Sequence, residues 1–192
     1  MTNRLSPIRE PFQSDVAAAL AAYPQQDGYI LGLFLTFANS LRFLKKGVPN
    51  LLDRESPLSL RIRELVILRI TANNNCEYEW GVHVSIFAAT AKFSLAQIEA
   101  TRSVRVDPDL WSEPEACLLK AIDSLCATGR IEDDVITQFE SDWTKEQQLE
   151  IFALCGAYHT ISFVANSARL PNEPFGALFP SSETVRFASH TA

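Results

Sequence analysis

The chain has 192 residues, 47% apolar and 21% charged, an ordinary globular composition with enough length for one domain around a sizeable core. Its formal net charge of −6, from 23 acidic and 17 basic residues with Lys45-Lys46 as the densest basic pair, argues against a nucleic-acid partner. Four cysteines (76, 117, 126 and 155) are scattered without a CxxC pair, so a reduced, cytoplasmic protein is expected, in which a placed thiol is a chemical candidate.

Seven glycines and almost no strand-like alternation point to an all-α chain with periods of three and four. The opening MTNRLSPIREPFQSD lacks the apolar core of a signal peptide. The spacing predicts a first helix over residues 12–23, stopped by Pro24, and a second over 28–45, ended by Gly47-Val48-Pro49. The apolar stretch 29–44 is broken by Thr36, Asn39, Ser40 and Arg42, which makes it too short and too polar to cross a bilayer. A third helix is expected over 58–71, and the run Asn73-Asn74-Asn75 then breaks the chain before a helix over 76–87. Ser94 with Gln97 marks a short capped helix. After a polar loop at 106–112, helices are expected over 113–127, 132–142 and 144–168, with Thr144 and Gln147 as a capping box and Gly129 and Pro171 as stops. One domain is expected over 1–192, with its core at about 30–171. The tail 172–192 carries Phe175, Phe179 and Phe187 among Pro, Ser and Gly; it either wraps a neighbouring subunit or frays.

The chemistry concentrates in RELVILRITANNNCEYEWGVH. With Cys76 at zero on a helical wheel, Glu79 falls at about 300° and His83 at about 340°, so a thiol, a carboxylate and an imidazole share an arc of roughly 60°. Trp80, Ile86 and Phe87 flank them on that face. Three reactive groups in an apolar stripe are costly to bury unless they bond each other or do chemistry. Cys76 at a helix N-terminus is placed to favour a thiolate. The i,i+4 pair Glu79 and His83 suits general acid/base work, because a carboxylate orients the ring and raises its basicity. Glu64, twelve residues before Cys76, adds a second carboxylate among Leu65, Ile67 and Leu68. The bland alternatives are a small buried cysteine and a surface ion pair. The four residues match no strong zinc spacing, so no metal is expected. There is no P-loop, GxGxxG or GxSxG, and no cofactor is expected.

A second cluster, Tyr158, His159, Ser162 and Asn166, lies on the last long helix, with the last three on one face. It reads first as a hydrogen-bonded helix–helix contact. Arg42, Arg61 and Arg63 are candidates to meet a substrate carboxylate, although each residue type is more often at the solvated surface.

The stretch from Glu64 to His83 resembles the carboxymuconolactone decarboxylase and alkylhydroperoxidase-D-like superfamily. Peroxidase members carry E-x11-C-x2-C-x3-H; this chain has Glu64-x11-Cys76-x2-Glu79-x3-His83, three of four positions at full spacing. The flank GAYHTISFVANSARLP is also similar, and the likeness covers roughly residues 30–171. The resemblance implies an all-α fold around a helical hairpin, and trimers or hexamers with sites near subunit contacts. It also implies a limit. The peroxidatic cysteine of the dithiol members is Glu79 here, so their disulfide cycle cannot close within this site. The CEYEW form is more similar to the decarboxylase branch.

Three functions are open at this point. The first is a cofactor-free enzyme using Glu64, Cys76, Glu79 and His83 as acid/base machinery on a small anionic or lactone metabolite. The second is a peroxiredoxin-like protein that uses Cys76 with an external thiol. The third is a non-catalytic binding or assembly protein.

Overall fold

The computed structural model describes residues 5–25 and 28–181. All regular elements among them are helical: α1 (Ser14–Leu20), α2 (Gly32–Phe37), α3 (Leu41–Lys46), α4 (Leu60–Asn73), α5 (Glu77–Phe87), α6 (Leu95–Ala100), α7 (Glu113–Thr128), α8 (Asp133–Asp142) and α9 (Lys145–Ala168), with a 3-10 turn at Pro108–Leu110. The expected all-α class therefore holds.

Most helix ends follow local chemistry. Ser40 and Ser59 accept hydrogen bonds from the amides of Phe43 and Ile62, and Ser94 and Thr144 form reciprocal boxes with Gln97 and Gln147. Gly129 closes α7 in the left-handed region (φ 77°), where a Cβ is unfavourable. The long second helix expected over 28–45 is instead two short ones. Ser40 caps α3, while the Asn39 amide donates to the carbonyls of Thr36 and Ser6, so side chains compete for the backbone where the helix would continue. Glu115 was not anticipated as a cap. Its carboxylate accepts from both the amide and the hydroxyl of Ser112 at the start of α7.

The centre is α4, buried from Glu64 to Ala72 and packed against α5, α7 and α9. The asparagine break then reverses the chain. Asn75 adopts a left-handed φ of 49°, and the Cys76 amide donates to the Thr71 carbonyl. The Asn74 carbonyl is held in turn by Asn166 of α9. The result is an α4–α5 hairpin with α9 laid across it. The 24-residue α9 is long and apolar enough to cross a bilayer by length and composition alone, but half of that apolar stretch is buried inside the fold.

The tail departs from both expectations as far as residue 181. It docks on its own chain along the outer side of α5. The Ala177 amide donates to the Gly81 carbonyl and to the Ser85 hydroxyl, and the Phe179 amide donates to Glu77. A Cβ at Gly81 would lie 2.1 Å from the Ala177 carbonyl oxygen, so the approach requires glycine there. Glu173 accepts from the hydroxyls of Tyr29 and Tyr78 and from the Gly32 amide, which pins α2 and the tail to α5. Phe187 lies outside the described residues.

Candidate active site

The hairpin turn brings Glu64 of α4 opposite His83 of α5. Glu64 Oε2 lies 2.7 Å from His83 Nδ1, and Glu79 Oε1 lies 3.5 Å from Nε2. Of the two carboxylates expected to orient the ring, Glu64 makes the close contact. Cys76 sits one residue before the first turn of α5, as its N-cap, and is fully buried. Thus the four residues singled out by spacing converge, and none is more than 5% exposed.

Two residues join them from α9. The Tyr158 hydroxyl lies 3.0 Å from His83 Nε2, with the rings edge to face. Ser162, one turn further, lies beside the Cys76 sulfur and donates to the Tyr158 carbonyl. The second cluster is therefore not one site. Tyr158 and Ser162 complete the first, whereas Asn166 holds the hairpin turn and His159 faces elsewhere, packed edge-on against Phe163. The signal in the sequence was Tyr158 and Ser162 spaced i,i+4 within an apolar run; what was missing was that this helix crosses the hairpin.

Flanking residues also sort themselves. Phe87 covers the imidazole at 5.3 Å between ring centres and is half-buried. Trp80, expected beside the site, instead donates to Thr101 and packs on Phe179. Ile86 is exposed. Among the arginines, Arg42 is exposed and Arg61 is bound to Glu115 and to the carbonyls of Ala91 and Lys92. Arg63 lies near enough to act on the charge state of Tyr158, and its Nε is buried without a hydrogen-bond partner among the described residues.

The electrostatics follow from burial and charge. Burial pulls the His83 pKa down, but the charge and hydrogen bond of Glu64, reinforced by Glu79, outweigh it and raise the pKa to about 10. His83 is then an imidazolium at neutral pH, donating from Nδ1 to Glu64 and from Nε2 toward Tyr158 and Glu79. Burial and the nearby carboxylates keep Tyr158 a neutral phenol. The Cys76 thiol is pushed up to about 11, chiefly by burial, against the help of the Glu79 amide and Ser162. This corrects the expected thiolate: the helix N-terminus is present, but loss of solvent and a neighbouring carboxylate outweigh it. Glu79 Oε2 is buried without a hydrogen-bond partner among the described residues.

Residues 44–121, which include all four residues of the motif, match the model of the carboxymuconolactone decarboxylase family. A peroxidase-related protein from Silicibacter sp. TM1040 superposes with a TM-score of 0.73 at 18% identity, over 94% of this chain and all of that one. A protein of unknown function from Agrobacterium tumefaciens, named as a candidate antioxidant defence protein AhpD, superposes with a TM-score of 0.56 at 23% identity, over 61% of this chain and 80% of that one. At such identities these two likenesses concern the fold. No functionally curated protein matches the chain in sequence. The matched segment and the helical architecture agree: residues 44–121 carry the carboxymuconolactone decarboxylase family pattern, set in a helical fold similar to that of these two proteins.

Proposed function

We propose that this protein is a cofactor-free, carboxymuconolactone decarboxylase-like enzyme acting on a small anionic or lactone metabolite. The observation that carries the reading is the buried His83 ring, held through Nδ1 by Glu64 while Nε2 faces Tyr158 and Glu79; the two carboxylates favour its protonated form. A decarboxylation leaves the electron pair of the broken C–C bond on the substrate, spread into an adjacent unsaturated carbonyl. His83 Nε2–H delivers a proton to the carbon that keeps that pair, and CO2 departs. Glu64 holds the ring in orientation, and Glu79 relays a replacement proton from solvent. Tyr158, as a neutral phenol, offers a hydrogen bond to a developing oxyanion. Cys76 is a buried polar support.

The test is turnover of lactone and carboxylate metabolites by wild type, His83→Ala and Glu79→Gln. Unchanged turnover in both variants would sink the reading.

A second reading, a peroxiredoxin-like protein using Cys76 and an external thiol, is supported by the peroxidase-related fold neighbour and by the retained cysteine. The raised thiol pKa and the carboxylate at position 79 weigh against it. Its test is consumption of an alkyl hydroperoxide with excess dithiol, comparing wild type with Cys76→Ser. We further propose assembly as a homo-trimer or hexamer, supported by the exposed Leu149 and Phe163 of α9 and Ile86 of α5.

A further inference from the structure

Consecutive residues of α9 serve two different places. Tyr158 enters the buried cluster, whereas His159 lines a separate cavity of about 660 Å³ between α4, α7, α8 and α9. That volume lies in the range of small-molecule sites. Ile70, Leu125, Ile131, Ile136 and Phe152 give it apolar walls. Of its two thiols, Cys155 is driven strongly toward the neutral form by burial, and Cys126 accepts a hydrogen bond from Asn73. His159, its pKa lowered by burial, is a neutral hydrogen-bonding group at pH 7.

One charged side chain stands among the described residues lining the cavity, the Arg130 guanidinium at the mouth. It pairs with Asp133 at 3.0 Å, in an ion pair whose two side chains are 68% and 89% exposed. Such a pair is worth little, so a carboxylate from a ligand can replace it at small cost. At the other side of the cavity, Gly156 leaves open space where a Cβ would stand. An apolar chamber with one cation at its mouth and one neutral imidazole in its wall fits an amphipathic anion better than a sugar, a nucleotide or a metal.

We propose that this cavity binds a small monocarboxylate with an apolar body, its carboxylate on Arg130 and its body along the exposed face of α9 at Phe152 and Gly156. The inference is independent of the chemistry at His83.

Octanoate, with 1-octanol as its uncharged counterpart, is titrated calorimetrically into the full chain, and assembly mass is followed by light scattering. Saturable octanoate binding with a Kd at or below about 1 mM is expected. Arg130→Gln, a surface substitution, should weaken octanoate about fivefold and leave octanol unchanged. Gly156→Leu, which meets no neighbouring atom at its Cβ, should weaken both by at least about tenfold while helicity is kept. The proposal is overturned by octanoate that does not saturate, or by binding that ignores both substitutions. It is equally overturned if Gly156→Leu dissociates the assembly and wild type binds no octanoate, for the groove then belongs to a second copy of the chain.

Discussion

Two buried charge clusters hang from α4, and they are built to opposite rules. Arg69 is wholly buried and complete: Nε and Nη2 fork onto the two oxygens of Asp123, and Nη1 donates to the carbonyls of Thr101 and Ser103. One cation meets one anion, and the geometry ties α4 to α7 and to the turn after α6. Five residues earlier, Glu64 belongs to a cluster with two carboxylates, one imidazolium and a phenol. There the direct contacts are unequal, two carboxylates on one imidazolium with the Arg63 guanidinium felt at Tyr158, and Glu79 Oε2 lacks a hydrogen bond among the described residues. Balanced closure fixes helices in place. An unequal cluster keeps a proton exchangeable, at the expense of stability.

The largest effect should come from breaking the balanced cluster. Arg69→Met takes the guanidinium from Asp123, which keeps its hydrogen bond from the Asn73 carboxamide, and should lower unfolding free energy by about 3 kcal/mol, read by urea denaturation; adding Asp123→Leu should restore most of it. In the unequal cluster the loss should fall on activity instead. His83→Gln should lower turnover of a lactone or carboxylate substrate by about 10²–10⁴-fold, with helicity intact by circular dichroism. Glu79→Gln sharpens the contrast further. Removing the surplus charge should raise stability by about 0.5–2 kcal/mol while lowering turnover, and a destabilised variant would show that the charge is not in excess. The smallest perturbation is pH alone. Imidazole NMR should find His83 protonated at pH 8 and His159 neutral. The raised His83 pKa contributes stability that is full below its unfolded value of 6.5 and is lost as pH rises through about 10. The wild-type advantage over His83→Gln should shrink across that window.

The motif residues were legible because their partners are close in sequence: Glu64, Cys76, Glu79 and His83 lie within one hairpin, and helical spacing alone puts three of them on one face. The helical class and most caps were legible for the same reason, since a Ser or Thr and the Gln three residues on act locally. Tyr158 was not, because 75 residues separate it from His83 and only packing of α9 across the hairpin joins them. The state of Cys76 was misread in sign. Its helix-terminal position is a local fact, whereas the burial that raises its pKa depends on α9. The break at Asn39-Ser40 was hidden inside an apolar run, where two side-chain hydrogen bonds decide against one long helix. The tail's docking depends on a glycine whose reason lies almost a hundred residues away.

The order of the chain gives α9 and the docked tail a temporal meaning. During synthesis the α4–α5 hairpin emerges first, carrying both carboxylates and the imidazole. The phenol that meets Nε2, and the strap over Gly81 on α5, emerge later. The nascent hairpin thus already carries the two carboxylates that raise the His83 pKa, and the burial that opposes them is completed only when α9 packs.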